Sequence, residues 1–71
     1  MIITYKAQNV NMTFCETVIV APGDNQWVYV FQMVSGKDVT IRVPYYNRND
    51  MLKLTSSIEK WMKEGQDEKS S

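Results

Sequence analysis

Side chains able to do acid, base or nucleophilic chemistry are few and scattered in this chain. It has no His and a single Cys, Cys15. A Ser-His or Cys-His couple, a zinc site of the common Cys/His type and an internal disulfide are therefore out of reach. Asp24, Asp38 and Asp50 fall in expected turns or at a helix start, where solvation and capping account for them. Glu16 stands inside a strand pattern beside Cys15, but neighbours along a strand point to opposite faces and cannot form a catalytic pair. Pro22-Gly23 has no glycine-rich phosphate loop about it, and no nucleotide-binding fingerprint occurs elsewhere. The expectation is a protein that is not an enzyme and takes no metal or cofactor, with Cys15 packed rather than reactive.

Binding chemistry is better represented. Trp27, Tyr29 and Phe31 alternate along one strand pattern, and Arg42-Val43-Pro44-Tyr45-Tyr46-Asn47-Arg48 interleaves cations with aromatic rings. Trp and Tyr are enriched at protein-binding hot spots, whereas cations beside aromatic rings also suit single-stranded nucleic acid. Lys+Arg and Asp+Glu both number 8, so the net charge is zero and the usual electrostatic footprint of a nucleic-acid binder is missing.

The elements that position these residues follow from pattern and length. At 71 residues, 44% apolar and 23% charged, the chain is one small globular domain. Its leading Met1-Ile2-Ile3 lacks the basic region and apolar stretch of a signal peptide. The apolar runs Val18 to Pro22 and Trp27 to Phe31 are far too short to span a bilayer. With one unpaired Cys, these features point to the cytoplasm and to no membrane partner.

Strands are expected at Ile2 to Ala7, Met12 to Ala21, Gln26 to Val34 and Val39 to Val43, separated by turns at Gln8 to Asn11, Pro22 to Asn25 and Ser35 to Asp38. Pro44 should end the sheet, since it cannot donate to a ladder. Beyond it, Met51, Leu54, Ile58, Trp61 and Met62 recur at helical spacing after the capping candidates Asn47 and Asn49, with Gly65 placed to stop the helix. The expected fold is α+β, a four-stranded antiparallel β-meander with one C-terminal amphipathic helix packed on one face (ββββα) over residues 1–65, followed by a disordered polar tail, 66–71. A small β-barrel with a C-terminal helix is the alternative.

Both parities of the third strand are mostly apolar, so both of its faces want cover. A two- or four-residue loop within Ser35 to Asp38 would group Val28, Val30 and Val34 with Val39, Ile41 and Val43 under the helix. The aromatic face would then be open as an interaction surface for a protein partner or a second copy. A three-residue loop would swap the partners, and the rings would be core if the sheet curls so that its aromatic face packs on the first strand, the Tyr45-Tyr46 segment or the tail. On the first register the chain reads as a non-catalytic protein-binding module, a modulator or inhibitor of a larger partner, binding through Trp27, Tyr29, Phe31, Arg42, Tyr45, Tyr46 and Arg48. Its size is that of adaptor subunits and of small proteins encoded by phages or mobile elements. The alternative is single-stranded nucleic-acid binding, with Arg42 and Arg48 on phosphates and Tyr29, Tyr45 and Tyr46 stacking on bases.

Overall fold

The computed structural model describes the backbone of residues 1–70 and the side chains of residues 1–65. In chain order the elements are β1 (Ile2–Tyr5), β2 (Gln8–Asn11), a single 3-10 turn (Met12–Phe14), β3 (Cys15–Gly23), β4 (Gln26–Met33), β5 (Asp38–Pro44) and α1 (Arg48–Ser70). The fold is α+β, with two open antiparallel sheets, a β1-β2 hairpin and a β3-β4-β5 meander, and one C-terminal helix. It is not a closed barrel.

The strand count is five rather than four because Gln8–Asn11, expected as a turn, is a strand. The chain reverses instead at Lys6-Ala7, with Lys6 at φ 53°. That reversal sets Ile3 opposite Val10, and both side chains are buried. Met12 then leaves the strand path in the 3-10 turn, where its N–H donates to the Met1 carbonyl at 2.9 Å and the Thr13 N–H donates to the Asn11 Oδ1 at 3.1 Å. The turn drops the Met12 side chain into the core and directs the Met12 carbonyl toward the helix, where the Trp61 Nε1–H donates to it at 3.1 Å.

The connection between β4 and β5 decides which face is core. Met33 and Lys37 are joined by a backbone bond of 3.0 Å, and the Gly36 N–H donates to the Met33 carbonyl at 2.9 Å. Gly36 sits at φ 88°, a conformation that favours glycine because it has no Cβ to clash. The resulting register pairs Gln32 with Asp38, Tyr29 with Ile41 and Trp27 with Val43, so odd residues face odd residues. Trp27, Tyr29 and Phe31 therefore share their face with Val39, Ile41 and Val43, which corrects the expected grouping of the valines of β4 with those of β5.

Helix α1 lies on this aromatic face, and Ile3, Val10, Met12, Cys15, Tyr29, Phe31, Ile41, Val43, Leu54 and Ile58 form one core. Asp50 lies in the first turn of the helix, where a carboxylate complements the helix dipole, and the Asn47 carbonyl accepts from the Met51 N–H at 3.1 Å. Of the expected apolar stripe, Leu54 and Ile58 are buried and Met51 and Trp61 half-buried, whereas Met62 is exposed. The helix does not stop at Gly65, which is not at positive φ, and continues to Ser70. The expected disordered tail, 66–71, lies outside the residues described in full. Among the described residues no helix is long and apolar enough to cross a membrane.

Candidate interaction surface

The residues expected to form a binding face are divided by the observed register. Tyr29 and Phe31 are 1% and 0% exposed, so they are core and present nothing to a partner. Trp27 is half-buried at the rim of the same face, edge-on to Tyr45 with ring centroids 5.6 Å apart and planes at 90°. The Tyr45 hydroxyl donates to the Gly23 carbonyl at 2.8 Å, and its amide to the Asn25 carbonyl at 3.1 Å, which ties the segment after β5 to the β3-β4 turn. Tyr45 thus acts as a strut for the sheet end.

Tyr46 is 85% exposed, and Arg48 is exposed in the first turn of α1. They line a shallow hollow of about 290 Å³ with Asn47, Asn49 and Asp50. Arg42 pairs with Val28 on the face of the sheet opposite the helix. The two arginines therefore belong to different surfaces, one on the outer sheet face and one at the helix start.

Among the described residues, nothing packs over this outer face of β3-β4-β5. Alternation along the paired strands gathers there Thr17, Ile19 and Ala21 from β3, Gln26, Val28, Val30 and Gln32 from β4, and Asp38, Thr40 and Arg42 from β5. Ile19 and Ala21 are exposed, and Val28 and Val30 are half-buried by their neighbours in the sheet. None of these four packs against the core on the other side. The result is an apolar centre of Ile19, Ala21, Val28 and Val30, rimmed by amides and hydroxyls, with the charges of Asp38 and Arg42 on its β5 side.

The Val28 side chain is held against the tight β3-β4 turn, since a Cβ on Gly23 would lie 3.1 Å from its Cγ2. Gly23 therefore leaves room for the apolar centre to continue to the end of the sheet. Cys15 belongs to the core, and burial pushes its thiol above the ordinary value of 9.0, with backbone hydrogen bonding at Thr17 opposing the rise and the Glu16 charge adding to it. The thiol is thus held protonated away from this surface.

Ile19, Ala21, Val28 and Val30 were not among the residues singled out from the sequence, although their signal was present. Both parities of β4 are apolar, so whichever set became core would leave the other as an apolar outer face. No known protein family, characterised protein or solved structure matches the chain.

Proposed function

We propose that this chain is a non-catalytic protein-binding module that modulates a larger partner by docking the outer face of β3-β4-β5 against it. The observation that carries the reading is the composition of that face, an apolar centre without charge and a polar rim on which one acid, Asp38, and one base, Arg42, balance. Protein interfaces are depleted of charge at the centre and polar at the rim, whereas surfaces that bind single strands combine cations with exposed rings. The complementary partner presents an apolar patch with a carboxylate placed to meet Arg42. A reducing cytoplasm suits the buried, unpaired Cys15.

The test compares the wild-type protein with Val28→Lys, which places a charge at the centre of the outer face, and with the double variant Arg42→Ala/Arg48→Ala. Affinity capture from the source cell followed by mass spectrometry should identify a protein retained by the wild type at high salt and lost with Val28→Lys. A melting curve must show that Val28→Lys is folded. The reading is overturned if folded Val28→Lys keeps every captured protein. It is also overturned if the protein binds single-stranded oligonucleotides with a steep salt dependence that the double Arg variant abolishes.

A further inference from the structure

The β3-β4-β5 sheet has two edges, and the fold treats them differently. Met33 bonds to Lys37 and Tyr45 to Asn25, so the odd-numbered residues of β4 direct their backbone groups to β5. The even-numbered ones must then face β3, as the 2.8 Å bond from the Val34 N–H to the Phe14 carbonyl shows. By the same alternation, the even residues of β5 and of β3 direct their N–H and C=O groups outward.

On β5 part of the outward edge is dressed and the rest is charged. The Thr40 carbonyl accepts from the Gln8 Nε2 at 2.9 Å, the Pro44 carbonyl accepts from the Asn47 N–H at 2.9 Å, Pro44 has no N–H to satisfy, and Asp38 and Arg42 set charges along the strand. On β3 the outward residues are Val18, Val20 and Pro22. Among the described residues, no side chain or backbone group outside the β3-β4 ladder bonds to Val18 or Val20.

The guards that β3 carries lie at its ends, a register shift between Cys15 and Thr17 and Pro22 near its close, and the stretch between them is bare. The strand is 9 residues long and has no charge from Thr17 to Gly23. Helix α1 packs on β1 and β5, which leaves Val20 49% exposed although it lies on the core face. Val20 therefore combines free backbone groups with an apolar side chain in water.

We infer that the β3 edge pairs with the β3 edge of a second copy of this chain, antiparallel about a two-fold axis at Ile19, joining the two meanders into one continuous sheet. The register follows from the strand itself. Centring on Ile19 sets Val18 opposite the second copy's Val20, so the outward donors and acceptors of each meet those of the other. It also sets Glu16, the only charged residue of β3, opposite Pro22 rather than opposite its own image. Identical strands thus meet without like-charge repulsion, and the whole chain is neutral. This inference uses the edge of the sheet rather than its outer face, so it stands or falls apart from the function proposed above.

The test is sedimentation of the full chain over a range of concentrations, with amide hydrogen exchange at the two extremes. The wild type should show a monomer–dimer equilibrium, with the Val18 and Val20 amides protected at high concentration and exchanging freely at low. Val20→Pro removes one outward donor from each copy and leaves the β3-β4 ladder whole, as Pro22 already does two residues on. Val20→Lys supplies the missing edge charge. Each variant should weaken the dimer about tenfold or more, while Val28→Lys, on the outer face, should leave it intact. A wild-type chain that stays monomeric at every concentration overturns the inference. So does a dimer whose Val18 and Val20 amides remain unprotected, and this readout decides the matter even if Val20→Pro fails to fold. Loss of the dimer with capture of another protein on the outer face retained would remove this inference alone.

Discussion

Tyr29 shows how one side chain is committed to the interior. Its ring is core, and its hydroxyl shares a 3.1 Å hydrogen bond with the Thr55 Oγ1, so β4 is tied to α1 by apolar contact and by a polar bond. Tyr29→Ser should therefore cost about 3 kcal/mol or more, the scale of losing a buried aromatic ring, and lower the melting temperature sharply. An unchanged melting curve would show that the ring lies in water. Cys15 makes a pH-dependent contribution. Because burial raises its folded-state value above 9.0, the native chain holds the thiol proton more tightly than the unfolded chain does. The associated stability is fully present below about pH 9 and is lost as pH rises through the folded-state value. Wild type should consequently lose stability faster than Cys15→Ala as pH is raised above that point, measured by paired thermal melts. Alkylation of the native thiol near neutral pH should be slow and should become fast in denaturant.

At the scale of elements, the helix is held chiefly by Leu54, Ile58 and Trp61, the last through both its ring and its bond to the Met12 carbonyl. Trp61→Ala should cost about 2 to 4 kcal/mol, whereas Met62→Ala, one residue on and exposed, should change stability by no more than about 0.5 kcal/mol. Comparable losses in denaturant titrations would mean that the helix sits in another rotation. Helix, β4 and β5 were legible in the sequence because periodicity and turn residues agree there, while of the turn expected over Pro22 to Asn25 only Asp24 and Asn25 make the reversal, Pro22 and Gly23 being the last residues of β3. The N-terminal hairpin was not, since its reversal uses Lys6 and Ala7, which carry no turn signature, while Asn9 and Asn11 look like turn residues and lie in a strand. The candidate surface was missed for a related reason. Apolar content on both faces of β4 could be read, but which face met the helix depended on where the loop ended, and pairing Gln32 with Asp38 moved every side chain to the other side.

At the scale of the molecule, contacts divide into near and far in sequence. The β3-β4-β5 ladders close through short hairpin loops, whereas the bond between Trp61 and Met12 joins residues 49 apart. Closing a long loop costs more entropy than closing a short one, and distant contacts form late. Trp61→Ala should therefore speed unfolding more than it slows folding, a shift of the unfolding limb that stopped-flow measurements will register. Refolding slow at its last step would leave the sheet without its cover for a time, and the uncharged edge at Val18 and Val20 would then meet other chains along with an exposed aromatic face. The recovered yield of native protein should accordingly fall as the refolding concentration rises, and Val20→Lys should restore it. The same edge that joins two folded copies would thus set the upper concentration at which the chain can be made.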